Sequence, residues 1–283
     1  MLWPSSMLPF IPSRSQLAFS GILHTAVVVF AMTATSVCAK PAVPTAPSPG
    51  YHLKVVRVYP HDARAFTQGL LLLDGKLYES TGLYARSSVR RVDLTSGQVE
   101  LEAKLPAELF GEGLARVGDR LIQITWKNHK ALVWDLSTLK KEAEFSYEGE
   151  GWGLCFDGRH LVMSDGSDKL TWRNPITFVK EGEVRVRLAG RPLVNLNELE
   201  CAGGVVYANV WQDNHIARID PNSGAVTAWI DASGLLDPSE VAGADVLNGI
   251  AEMASMGHLL VTGKLWPHVY EVEVVSDTKG EAR

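Results

Sequence analysis

Five residues of this chain stand at matching points of five similar stretches: Gln68, Glu112, Trp152, Glu198 and Asn248. Each directly precedes an anchor at the opening of a short apolar run, namely Gly69, Gly113, Gly153, Leu199 and Gly249. A second set, Gly82, Trp126, Gly166, Trp211 and Lys264, follows 12 to 15 residues after those anchors. A carboxylate, amides, an ammonium and several indoles brought together would make an aromatic cup with a few polar tips, the usual form of a small-ligand pocket. A carboxylate buried among aromatic rings has its pKa raised towards the range where it both takes and gives a proton near neutral pH. Taken singly, each residue is ordinary: tryptophans of β-proteins mostly serve the core, and carboxylates at strand ends are mostly solvated. The repeat points unrelated stretches at one place.

The repeat itself supplies the elements. The anchors are spaced 44, 40, 46 and 50 residues apart. Within each unit, short apolar runs alternate with turns such as Asp74-Gly75, Gly118-Asp119, Asp157-Gly158 and Ser223-Gly224, a strand–turn–strand rhythm of three or four strands. A four-stranded unit of this length is the size of a propeller blade. The expected fold is therefore all-β, a five-bladed β-propeller over residues 51–283. Tyr51–Tyr59 is expected to lend a strand to the last blade. A β-sandwich is the competing fold, but it does not need five similar units. In a propeller the first strand of each blade lines the central channel, so the two sets above form rings around it.

The chain has 283 residues, a formal net charge of −5 and 46% apolar residues. A mildly acidic surface offers no basic field for nucleic acid. Arg14 precedes an apolar stretch from Leu17 to Val37, and Val37-Cys38-Ala39 places small residues before Lys40. Residues 1–39 are read as an export signal cut after Ala39, and 40–50, with its prolines, as a linker. An uncleaved anchor is the alternative for the apolar stretch. The expected location is periplasmic or secreted, with no lasting membrane attachment once the signal is removed. Cys155 and Cys201 remain after the signal. Export permits a bridge between them, and two buried thiols are the other reading. The absence of CxxC, HExxH or paired-histidine spacing predicts no metal site.

The ordered motifs Ala65-Phe66-Thr67-Gln68-Gly69-Leu70, Tyr78-Glu79-Ser80-Thr81-Gly82-Leu83-Tyr84, Phe110-Gly111-Glu112-Gly113-Leu114, Gly151-Trp152-Gly153-Leu154, Leu196-Asn197-Glu198-Leu199-Glu200, Ala208-Asn209-Val210-Trp211-Gln212, Leu247-Asn248-Gly249-Ile250 and Gly263-Lys264-Leu265-Trp266 resemble the plant-type glutaminyl-peptide cyclotransferases, found also in bacteria. The resemblance runs from about Val55 to Val274 without a missing block. It implies a five-bladed propeller that turns the N-terminal glutamine of peptides or proteins into pyroglutamate and releases ammonia, with no metal or organic cofactor. The family's active-site glutamate falls on Glu112. Its substrate-binding positions fall on Phe66 or Phe110, Gln68, Trp126, Trp152, Asn197, Trp211 and Lys264. Asn197 lies one residue before the ring position assigned to Glu198.

Two other functions compete. A non-catalytic propeller would bind peptide or sugar in its channel, but a neutral ligand does not require a carboxylate inside an apolar cup. A calcium-dependent hydrolase or lactonase would gather Glu112, Asn197, Glu198 and Asn248 around one ion, and Lys264 and the indoles suit that poorly.

Overall fold

The computed structural model describes residues 50–277. The expected signal and all of the expected linker except Gly50 lie outside the described residues. Strand β1 (Tyr51–Pro60) comes first. One antiparallel sheet holds β2 (Thr67–Leu73), β3 (Lys76–Thr81), β4 (Ser88–Asp93) and β5 (Val99–Lys104) in that order. The next holds β6 (Gly111–Val117), β7 (Arg120–Thr125), β8 (Lys130–Asp135) and β9 (Lys141–Ser146). A third holds β10 (Leu154–Phe156), β11 (Leu161–Ser164), β12 (Lys169–Arg173) and β13 (Lys180–Arg185), followed by a short hairpin of β14 (Arg187–Leu188) and β15 (Arg191–Pro192). Then come β16 (Leu196–Ala202), β17 (Val205–Val210), β18 (His215–Ile219) and β19 (Val226–Asp231), and β20 (Leu247–Met253), β21 (His258–Gly263) and β22 (His268–Ser276). These last seven strands and β1 form one sheet in the order β16-β17-β18-β19-β1-β22-β21-β20. As expected for a first strand that completes the last repeat, β1 pairs with β22 along its length. Among the described residues one 3₁₀ turn, Val241–Gly243, is the sole helical element, and no helix there is long and apolar enough to cross a membrane.

Local sequence explains the sheets. Between β2 and β3, Asp74 and Gly75 both take positive φ (51° and 73°), the geometry of a two-residue hairpin turn whose twist matches its strands. The outer strands β5, β9 and β13 carry charges such as Glu100, Glu102, Lys141, Glu144, Glu181 and Glu183 and are largely exposed, which guards their unpaired edges. β19 bears Trp229 and Ile230 with a single charge, Asp231. It is the outer strand whose edge is covered, by parallel pairing of Tyr51 and His52 with Ile230 and Asp231.

The core lies between consecutive units. Leu114, Leu121, Leu132 and Trp134 pack on Tyr78 and Val89. Leu154, Leu161 and Phe178 pack on Ile122, Ile124 and Tyr147. Further clusters join the third unit to the fourth and the fourth to the fifth, and Leu70 and Leu77 of the first meet Ala251 and Leu260 of the last. The inner strands follow the same cycle: β2 lies beside β6, β6 beside β10, β10 beside β16, β16 beside β20, and β20 beside β2. Two anchor glycines make this approach possible. A Cβ on Gly113 would collide with Gly153 and Leu154 backbone, and one on Gly153 with the Asn197 carbonyl.

Cys155 on β10 and Cys201 on β16 form a disulfide, with Cα atoms 5.4 Å apart and a sequence separation of 46. It ties the third unit to the fourth beside their shared core. Closing a loop of that length is worth about 4 kcal/mol in the chain-entropy account. Replacing both cysteines with serine is expected to lower the melting temperature by on the order of 10 °C. Two free thiols titrating in the native protein would contradict the bridge.

Candidate active site

The four longer inner strands, β2, β6, β16 and β20, share an irregularity. Register slips by one residue between Thr67 and Gly69, Gly111 and Leu114, Leu196 and Leu199, and Leu247 and Ile250. A bulge of this kind re-aims a side chain out of the pleat. At three of these bulges, Gln68, Glu112 and Asn197 are turned into one cavity of about 470 Å³. Trp152 enters it from the segment before β10, and Trp126, Trp211 and Lys264 from just past the ends of β7, β17 and β21. Phe66 and Phe110 complete the wall. All nine residues on which the resemblance places the site therefore line one cup.

Two sequence assignments need correction. Glu198 does not line the cup, because the β16 bulge presents Asn197 in its place. The Glu198 carboxylate is buried and accepts Leu70 N–H at 3.3 Å and Ile250 N–H at 2.9 Å, stitching β16 to β2 and β20. Asn248 lies behind the cup, donating to the Thr67 carbonyl at 2.9 Å and to Gln68 Oε1 at 3.0 Å. Glu198 and Asn248 are thus spent elsewhere than in a calcium ligand set with Glu112 and Asn197. Among the described residues no group of three or more His, Cys, Asp or Glu side chains is placed to hold a metal ion. The second ring also holds two glycines, and the structure gives them a purpose. Side chains at Gly82 and Gly166 would strike the rings of Phe110 and Trp152, and Gly166 has a φ of +79°.

Glu112 is held on all sides. Gly111 N–H donates to Ser87 Oγ at 3.0 Å, and Gly113 N–H to the Trp152 carbonyl at 2.8 Å. Ser80 Oγ donates to the Glu112 carbonyl and accepts from Gln123 Nε2 at 2.7 Å. At the side chain, Gln68 Nε2 donates to Glu112 Oε1 at 3.0 Å. The bond from Asn248 fixes the Gln68 amide so that its N–H side faces Glu112. Burial pushes the Glu112 carboxyl well above the usual carboxylate range. Lys264 draws it down and Glu150 adds to the rise. Burial likewise lowers Lys264, against the pull of Glu112 and Asp245. The Lys264 ammonium stands 4.9 Å from the centre of the Phe66 ring, a cation–π contact.

The walls interlock by ring edges: Phe66 on Phe110 at 6.1 Å, Phe110 on Trp126 at 5.6 Å and Trp152 on Trp211 at 5.8 Å. Three ring positions, Gly82, Trp211 and Lys264, are each followed by a non-glycine residue at positive φ: Leu83 (81°), Gln212 (65°) and Leu265 (61°). Such strain persists where surrounding structure fixes it, and it gathers at functional sites. Leu83 also lines the cup and was missed in sequence. So was Glu150, whose carboxylate accepts both the Trp126 and Trp152 indole N–H bonds. The available signal was a buried indole's need for an acceptor, but Glu148 and Glu150 both precede Trp152 and spacing does not choose between them.

A family model described as glutamine cyclotransferase matches residues 27–274. A glutaminyl-peptide cyclotransferase of Arabidopsis thaliana is 45% identical over 227 residues, covering 78% of this chain and 71% of its own. The crystal structure of Myxococcus xanthus glutaminyl cyclase superposes with a TM-score of 0.73 at 40% identity, covering 81% of this chain and 98% of the other. With the family model spanning most of its length, the chain belongs to the glutamine cyclotransferase family.

Proposed function

We propose that this protein converts the N-terminal glutamine of peptides and proteins to pyroglutamate, releasing ammonia without a metal, and that Glu112 moves the proton. The observation that carries the reading is one buried, high-pKa carboxyl on the floor of an apolar cup. In this reaction the free α-amine attacks its own γ-carboxamide carbon. A C–N bond forms, the bond to the amide nitrogen breaks, and a five-membered lactam remains. Glu112 takes a proton from the attacking nitrogen and passes it to the departing one, which leaves as ammonia, so the carboxylate ends as it began. The bond from Gln68 holds Oε1, which leaves Oε2 to meet the reacting nitrogens. The γ-oxygen gathers negative charge. Trp126 and Trp152 direct their N–H bonds to Glu150, which leaves Lys264, the Asn197 amide and the Trp211 indole N–H as the donors for that oxygen. The aromatic walls hold the flexible side chain curled, lowering the entropic barrier to closure.

The cycle of inner strands and inter-unit cores supports a five-bladed propeller as the scaffold. The signal-like N-terminus and the Cys155–Cys201 bridge support an exported, periplasmic or secreted protein, since disulfides persist in oxidising compartments. The test compares a peptide beginning with free glutamine against its N-acetylated form and an isomer with glutamine inside, before and after exhaustive treatment with a strong chelator. Only the first peptide is expected to react, at the same rate with chelator. Comparable deamidation of internal glutamine, or a loss restored by zinc or calcium, would defeat the reading.

A further inference from the structure

The carboxylate of Glu150 sits at the rim of the cup, about two-fifths exposed. Its Oε2 accepts Trp126 Nε1–H at 2.8 Å and Trp152 Nε1–H at 3.1 Å. These indoles come from different units, so a single oxygen fixes the angle between two walls. Its other oxygen lies 3.5 Å from the Lys127 ammonium, which in turn stands 3.9 Å above the Trp126 ring. Three contacts on one half-exposed side chain, two of them to cup aromatics, are more than solubility requires. We propose that Glu150 is a positioning residue for cyclisation, holding the Trp126 and Trp152 indoles in place and acting on the proton-moving carboxyl through its negative charge. This rests on the reading of the cup as a glutamine-cyclising site.

Two consequences are separable. The first is geometric: with both indole N–H bonds anchored, the rings offer the substrate apolar surface and cannot rotate away. The second is electrostatic. Burial alone would raise the Glu150 carboxyl, but the two indoles and Lys127 outweigh it and keep Glu150 ionised. The charged or titratable groups that act on Glu112 are Lys264, which lowers it, and Glu150, which raises it. Tyr147, also coupled to Glu112, is pushed up by burial and stays neutral. Removing the Glu150 charge therefore lowers the Glu112 pKa, and the acid limb of the pH profile moves to lower pH.

The experiment measures kcat, KM, the pH profile and the melting temperature for the parent, Glu150→Gln and Glu150→Ala on a free N-terminal glutamine peptide. In Glu150→Gln the amide oxygen can keep both indole bonds, while the charge is lost. Its KM is expected near the parent's and its acid limb at lower pH. Glu150→Ala loses both, and its kcat/KM is expected to fall on the order of tenfold, mostly through KM. Melting temperatures are expected within a few degrees of the parent, as for a rim position. An active parent with both variants matching it in KM, kcat and acid limb overturns this proposal alone. So does a loss in both variants that tracks a fall in melting temperature. A parent without activity sinks this proposal together with the reading of the site.

Discussion

Glu112→Gln is expected to retain the fold, bind a glutamine peptide and lose turnover by about 10²–10⁴-fold, the usual contribution of a general acid–base group. The substitution keeps the shape, and the new amide oxygen can still accept from Gln68 Nε2, so the bond seen at 3.0 Å has a successor. What it cannot do is accept the amine proton. Stability is expected to hold at acid pH and to exceed the parent's as pH rises. The sign follows from the raised pKa. Such a carboxyl favours the folded state while protonated, and that advantage is lost as pH climbs from the unfolded value through the folded one. The glutamine does not ionise and escapes that loss. Steady-state kinetics beside thermal melts at two pH values would check both halves. Turnover within a few-fold of the parent would remove Glu112 from the role. Glu198, the other carboxylate at a ring position, is poorly placed to inherit it, because its carboxylate is committed to two backbone N–H groups away from the cup.

A stability effect as large as that of the disulfide is expected behind the cup wall, at Glu79. This carboxylate is fully enclosed. It accepts Thr67 Oγ–H at 2.6 Å and Arg90 Nε–H at 2.8 Å, and lies 3.1 Å from His61 Nε2. His61 Nδ1 reaches the Trp266 carbonyl at 2.7 Å, and Arg90 continues to Asp62 at 3.1 Å. The network thus fastens the segment before β2, where Gln68 bulges, to the turn after Lys264. Burial by itself would raise the Glu79 carboxyl, but Arg90 and His61 outweigh it and hold it far below the usual range. Glu79→Ala leaves the Arg90 guanidinium buried without its main partner, which typically costs about 3–5 kcal/mol. A fall in melting temperature of on the order of 10 °C follows. The depressed pKa also sets a direction: Glu79 contributes stability above the ordinary carboxylate range and loses it as pH falls through its folded value. Acid sensitivity should therefore be blunted in Glu79→Ala. A variant that melts within a degree or two of the parent would show that the pair contributes little.

The repeat was legible because it recurs in residue types that physics constrains: glycines where backbones meet, apolar runs for strands, polar heads at strand openings. It placed Gln68, Glu112, Trp126, Trp152, Trp211 and Lys264 in the cup, and the family resemblance added Phe66, Phe110 and Asn197. It misassigned Glu198 because a bulge changes which residue faces the channel, and nothing in Leu196-Asn197-Glu198-Leu199 marks where register slips. The third unit was the faintest, with an inner strand of only three residues, Leu154–Phe156. Its outer turn carries Asn174 capping Thr177 N–H at 3.0 Å, where Asp93 and Asp135 cap Ser96 and Thr138 in the first two units. This Asp/Asn-x-x-Ser/Thr pattern marks the same outer turn in all three units. The Cys155–Cys201 pairing was open because 46 residues of separation do not reveal that two inner strands become neighbours. Glu150 was invisible for a related reason: its partners are indoles from two units, and sequence does not say which way an indole N–H points.

The most direct test of the central claim is to incubate the purified protein with a glutamine-initiated peptide and measure ammonia and lactam together. The account predicts both in a one-to-one ratio, accumulating with enzyme-dependent kinetics. Ammonia accompanied by glutamate instead of the lactam would mean that water, not the α-amine, attacks in this cup. Neither product, from folded protein that binds the peptide, would mean that the cup holds its ligand without transforming it.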